Sequence, residues 1–184
     1  NWWDTDNLTD LLKFALQNAG ALDQYVYGSK MSNIVCRILY SLRSNTLNGS
    51  KRNIHAHYDL GNDFYFLWLD KTMTYSSGLY NTNSEDLQQA QYNKYDRIID
   101  SLEKSSGSLL EIGCGWGGFI ERATYRNDYD IKGITISDQQ YTYAKKRVED
   151  KANILYQDYR KTEGKYDNIV SIEMFEAVGQ KFWP

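Results

Sequence analysis

Residues 109–118, Leu-Leu-Glu-Ile-Gly-Cys-Gly-Trp-Gly-Gly, combine side chains and spacing that could hold a nucleoside-bearing ligand. A short apolar run carries one acid, Glu111, and then breaks into four glycines within six residues. A strand that turns so sharply into a helix leaves bare backbone for a ligand to lie against, with helix N–H groups facing it. Gly113-x-Gly115-x-x-Gly118 also satisfies the dinucleotide fingerprint. That fingerprint wants an acid roughly 20 residues on, at the end of the next strand, to hold a ribose. The corresponding place reads Gly133-Ile134-Thr135 and offers none. Glu111, two residues ahead of the first glycine, suits the cationic end of a ligand and would repel a pyrophosphate.

Other reactive residues are sparse. Cys36 and Cys114 make no disulfide framework, and Cys114 inside the glycine loop reads as a small packing residue rather than a nucleophile. His55 and His57 lack the neighbouring Cys, His and Asp spacing of a metal site, so no metal is expected. Trp116 reads as packing against the sheet.

The loop needs a scaffold, and the chain changes rhythm to supply one. From Ser106 onward, strands are expected at 109–112, 131–136, 153–156 and 168–173, with helices at 119–126 and 138–151 between them. Alternating strands and helices imply a parallel sheet that binds ligands at the carboxyl ends of its strands. Residues 1–105 read instead as helices and loops, with helices at 9–19, 31–42 and 87–102. The last of these carries Gln, Lys and Asp on positions read as exposed. Residues 45–51 look like a joint. Pro184 stands just beyond the fourth strand, so the expectation is half of a doubly wound sheet, a fragment or a half that needs a partner, with an edge open to pairing as a homodimer.

Net charge is −3, which predicts no nucleic-acid partner, yet Gln24 to Tyr58 holds five basic residues (Lys30, Arg37, Arg43, Lys51, Arg52) and no acid. A helix over 31–43 with one apolar face followed by Lys51 and Arg52 could rest on an anionic membrane, or pack that face against the rest of the protein. The Asn-Trp-Trp-Asp-Thr-Asp start shows no signal peptide, and 31–42 is too short to span a bilayer. A cytoplasmic protein, peripheral at the inner membrane surface, is the expectation.

Motifs around the loop narrow the reading. Glu111-x-Gly113-x-Gly115-x-Gly117 is similar to the acidic glycine loop of S-adenosylmethionine (SAM) methyltransferases. His57-Tyr-Asp-Leu-Gly-Asn-Asp-Phe-Tyr65, followed by Met73-Thr-Tyr-Ser-Ser-Gly-Leu-Tyr80, resembles the cyclopropane-fatty-acyl-phospholipid synthases and their mycolic-acid relatives. So do Gly133-Ile-Thr-Ile-Ser137, Gln157-Asp-Tyr-Arg160 and Ile169-Val-Ser-Ile-Glu-Met-Phe-Glu-Ala-Val-Gly179.

The resemblance covers residues 53–184 and implies an α/β fold: a Rossmann-like class I methyltransferase sheet, incomplete at about four parallel strands, behind an N-terminal helical region. The expected division is 1–50 helical, 51–105 a segment covering the site, and 106–184 the first half of the SAM-binding domain. SAM is the implied cofactor and an unsaturated phospholipid the implied substrate, its cis double bond receiving a methylene. An alkene attacking the sulfonium methyl becomes a carbocation, so the site must exclude water, stabilise positive charge and accept a proton. In the family a bicarbonate ion accepts it.

Glu176 matches the family's bicarbonate-site glutamate. Ser77 matches a position where many relatives carry a cysteine on that ion; the hydroxyl keeps a donor and an acceptor but no thiol chemistry. Tyr75 and Ser76 match cofactor contacts, as do Gly113, Cys114, Gly115 and Gly117 of the loop. Thr135, Ile136 and Gln140 match the segment around the ribose, and Tyr159 with Arg160 the adenine end. Asp158 either contacts adenine or caps a helix. His57 belongs to the motif and is expected at the entrance, whereas His55 reads as solvated. Relatives that leave a methyl branch or a hydroxyl, and a non-catalytic SAM- or lipid-binding piece, remain alternatives.

Overall fold

The computed structural model describes residues 5–20, 61–174 and 178. The chain divides into two compact units, Asn1–Ser44 and Asn45–Pro184. Expectations on 31–43, His55, His57 and Glu176 lie outside the described residues.

In the first unit, helix α1 spans Leu8–Gln17. Asn7 starts it by accepting from the Asp10 N–H at 3.2 Å. Asn18 stops it by turning its side-chain amide back onto the Phe14 carbonyl at 2.8 Å, two residues short of the expected end.

In the second unit, α2 spans Gly61–Phe66 and α3 spans Leu87–Asp100. Then come β1 (Gly107–Ile112), α4 (Gly118–Arg126), β2 (Tyr129–Thr135), α5 (Asp138–Val148), β3 (Asn153–Tyr156) and β4 (Asn168–Val170). The four strands form one sheet in the order β3-β2-β1-β4, each neighbouring pair parallel. This is the Rossmann-like class I methyltransferase arrangement expected. After β1 the chain moves to one side of the sheet and returns for β4 on the other, so the carboxyl end between β1 and β4 is the switch point where such sheets bind ligands.

The core sits under α4, where Phe119, Ile120 and Ala123 pack with Leu109, Ile131 and Ile154 of the strands. A Cβ at Gly133 would overlap Ile120 Cδ1, so the glycine of β2 lets the helix lie close on the sheet. Arg122 pairs with Asp96 at 2.7 Å, and Arg126 with Asp100 at 2.7 Å, joining α4 to α3. Such half-exposed pairs contribute about 0–1 kcal/mol each and chiefly fix which faces meet.

Two boundaries differ from expectation for local reasons. The helix expected to Lys151 stops at Val148, because Glu149 turns to φ 49° and a short 3-10 turn, Glu149–Lys151, follows. The fourth strand ends at Val170 rather than at Glu173, and Glu173 itself has φ 47°.

Candidate active site

At the end of β1 the chain must reverse within five residues. The N–H groups of Gly113 and Cys114 both donate to the Ile134 carbonyl of β2, at 2.9 and 3.0 Å, and Gly117 N–H closes the turn on Cys114 at 2.9 Å. Gly113 takes φ 79°, and a Cβ there would stand 2.8 Å from Met174 Sδ. Gly115 takes φ 54° and a Cβ there would meet nothing within 4 Å, so the loop presents open backbone on that side. Cys114 is buried in the core, as its packing role requires.

Glu111 is the electrostatic centre of this region. It lies in the middle of the sheet, opposite Gly133 on one side and Val170 on the other, and is 3% exposed. Its Oε2 atom is buried and has no hydrogen-bond partner. Burial pushes the carboxyl up to about 8, and the positive charge of Lys94 offsets only part of that. A buried carboxyl left without a donor at the mouth of a glycine loop fits a cationic ligand end. Its free acceptor oxygen suits the ammonium of an amino-acid moiety.

A second wall comes from residues 70–78. Asp70 accepts from the Thr72 hydroxyl at 2.9 Å, Thr72 and Thr74 hydroxyls meet at 2.6 Å, and Thr74 meets the Tyr95 hydroxyl of α3. Burial raises the Tyr95 phenol well above its usual range, which keeps its proton in this chain of hydroxyls. Gln91, also on α3, donates to the Ser76 carbonyl at 2.8 Å. The Lys94 ammonium donates to Ser76 Oγ at 2.5 Å and to the Ser77 carbonyl at 2.7 Å. Partial burial lowers Lys94 to about 8 against the pull of Glu173, Asp70 and Glu111. From α5, Arg147 reaches the carbonyls of Thr72 at 2.7 Å and Trp116 at 3.4 Å while paired with Glu121 at 2.8 Å.

An aromatic group lines the approach. Tyr65 lies 5.6 Å from Tyr75, 5.8 Å from Trp68 and 5.0 Å from Trp116, and Trp68 meets Tyr75 edge-on at 5.3 Å. Trp116 is buried in this cluster and donates to Asn62 Oδ1 at 2.8 Å, which ties the glycine loop to α2. Tyr75 and Trp68 keep nearly half of their surfaces exposed. Aromatic faces attract positive charge.

The remaining predicted residues divide. The Thr135 hydroxyl and the Gln140 amide oxygen bond each other at 2.8 Å and are buried, so those two atoms stitch β2 to α5; Ile136 between them is half-buried. Of the two roles open for Asp158, the structure shows the cap: it accepts from the Arg160 backbone at 3.0 Å and from the Arg160 guanidinium at 2.6 Å. Arg160 holds the Asp158 carboxyl below the usual carboxylate range and lies over the Tyr159 ring.

Ser77 has acquired an unforeseen partner. Its N–H and its hydroxyl both donate to Oε1 of Glu173, at 2.9 and 2.6 Å. Lys94, Gln91, Arg147 and Glu173 were not among the expected site residues. Gln91 and Lys94 belong to a helix face read as exposed; Gln91 is buried because its amide caps a loop carbonyl. Among the described residues there is no cluster of three His, Cys, Asp or Glu side chains able to hold a metal ion.

A sequence model of the mycolic acid cyclopropane synthetase family matches residues 45–184, and the chain belongs to that family. It is 36% identical over 197 aligned positions to a tuberculostearic acid methyltransferase of Mycobacterium tuberculosis, covering 99% of this chain and 45% of the relative. It is likewise 36% identical to the cyclopropane-fatty-acyl-phospholipid synthase of Escherichia coli, covering 98% of this chain and 47% of that enzyme. A crystal structure of a mycolic acid cyclopropane synthase complexed with SAH and CTAB superposes with a TM-score of 0.68 at 34% identity, over 71% of this chain and 48% of the other. The chain thus spans about half the length of the relatives it matches.

Proposed function

We propose that this chain is the cofactor-binding part of a SAM-dependent methyltransferase that adds a methylene across a cis double bond of phospholipid acyl chains. The observation that carries the reading is the buried, unpartnered carboxyl of Glu111 beside the glycine loop. Its opposite would be the ammonium of SAM, with Gly113, Gly115 and Gly117 giving the backbone along which the cofactor lies. When bound, SAM supplies an electrophilic methyl group. The chain's own residues do the rest. Trp68 and Tyr75, backed by the buried Tyr65, offer ring faces to the positive charge that develops on the lipid, and an apolar wall that keeps water from quenching it. Lys94 and Gln91 hold the Ser76–Ser77 backbone against the site.

The expected bicarbonate finds only a partial fit. Glu176 lies outside the described residues, and both Ser77 donors are already given to Glu173. Membrane placement at the inner surface follows from the substrate. Among the described residues no helix is long and apolar enough to cross a bilayer.

The test is to incubate the full-length protein with labelled SAM and vesicles of unsaturated phospholipid, then analyse released fatty acids by mass spectrometry. A fatty acid heavier by one methylene, with no double bond left to hydrogenate, is the expected product. A methyl-branched product would instead favour a methyl-branching lipid methyltransferase, a reading to which the similarity to a tuberculostearic acid methyltransferase gives weight. Label in protein or in a soluble small molecule, with none in lipid, would overturn the lipid assignment.

A further inference from the structure

The Ser77 donors already hold a carboxylate. Ser77 comes from the loop before α3 and Glu173 from the turn after β4, 96 residues later, yet N–H and hydroxyl converge on one oxygen, Oε1. The backbone of Glu173 sits at φ 47°, a left-handed region that strains a non-glycine residue. That strain is held by the contact it makes possible. Lys94 grips the Ser77 carbonyl and the neighbouring Ser76 Oγ, and its positive charge acts on Glu173. Among the described residues Oε2 of Glu173 carries no hydrogen bond, and the residue is exposed.

A glutamate carboxylate has the charge and the paired oxygens of bicarbonate. Two anions will not share one pair of donors, because each raises the cost of ionising the other. We propose that Glu173 stands in place of a free anion at Ser77 and is itself the proton acceptor of ring closure. This rests on the lipid methyltransferase reading given above. In that step a C–H bond of the transferred methyl breaks, its electron pair closes the third ring bond onto the cationic carbon, and the proton passes to Oε2 of Glu173. Solvent then takes the proton from the exposed carboxyl. No strong base is needed, since a proton next to a carbocation is already very acidic; what matters is a fixed oxygen at the right place.

The experiment uses the full-length protein with SAM and unsaturated phospholipid vesicles in buffer sparged of carbon dioxide, with and without added bicarbonate. Wild type is expected to form ring product at the same rate in both. Glu173→Gly, which adopts the left-handed backbone without strain, is expected to lose about 10²-fold in rate without bicarbonate and to regain part of it when bicarbonate is added. Glu173→Gln keeps the acceptor for Ser77, so it guards against misfolding; it is expected to be slow and not rescued, because the amide occupies the place. A readout independent of turnover is the line width of ¹³C-bicarbonate in NMR: unchanged by wild type, broadened by Glu173→Gly, and unchanged again when Ser77→Ala is added. A wild-type rate that rises with bicarbonate to a plateau overturns the proposal. So does a Gly or Gln variant at the wild-type rate without bicarbonate, or a Gly variant that neither binds bicarbonate nor is rescued by it. If wild type makes no lipid product at all, the functional reading fails and takes this one with it; bicarbonate dependence with lipid product made overturns this one alone.

Discussion

Glu111 concentrates the conflict between stability and function in one side chain. Its folded-state carboxyl sits near 8, above the ordinary 4.5, so between those values the fold holds a proton that the unfolded chain releases. Its contribution to stability is therefore complete below about pH 4.5 and is lost as pH rises through about 8. Glu111→Gln is isosteric and cannot ionise. By denaturant titration it should match wild type near pH 5 and exceed it by about 1–3 kcal/mol near pH 9. The same substitution should weaken SAM binding by about 10–100-fold, since the ammonium loses its charged partner. Binding itself should eject a proton from wild type. Calorimetry in buffers of different ionisation enthalpy should show nearly one proton released per SAM at neutral pH, less above pH 8, and none in the variant.

Among elements, α3 does more than cover the sheet. Its buried face alternates apolar packing by Ala90 and Ile99 with polar grips by Gln91, Lys94 and Tyr95 on residues 72–78. Tyr95→Phe removes the end of the buried hydroxyl chain and leaves Thr74 short of a partner. The expected cost is about 1–3 kcal/mol in denaturant titrations, with little change in the affinity of the glycine loop for SAM. The sequence made the sheet legible because strand, loop and helix follow one another locally: apolar runs, four glycines, then Ser137 capping α5. It also made Glu111 legible, since the acid and the glycines share one short motif. Gln and Lys positions on α3 read as solvent-facing because their partners lie 15–18 residues away on a loop without periodicity. Glu173 was passed over for a different reason: its partner is 96 residues off, and nothing in spacing records such a meeting.

At the scale of the whole second unit, the sheet alone does not assemble the site. The carboxyl ends of β2, β1 and β4 lie side by side in one row, and the segment before α3 is held by long-range bonds from α3, α5 and the β4 turn.

Arg147 gives that hold a mechanical consequence. One guanidinium holds carbonyls of Lys71, Thr72 and Trp116 together, so Arg147 of α5 bridges the segment before α3 directly to the glycine loop. Two segments bridged by one group are coupled in their opening. In hydrogen-exchange mass spectrometry, peptides containing the amides of Met73 and Gly117 should therefore lose protection in one cooperative event and gain it in step as SAM is added. Arg147→Lys keeps the charge but not the fork, and should separate the two, with the Met73 peptide exchanging first. Opening of this site is in that sense a property of α5, an element that presents only Gln140 among the residues first expected to hold the cofactor.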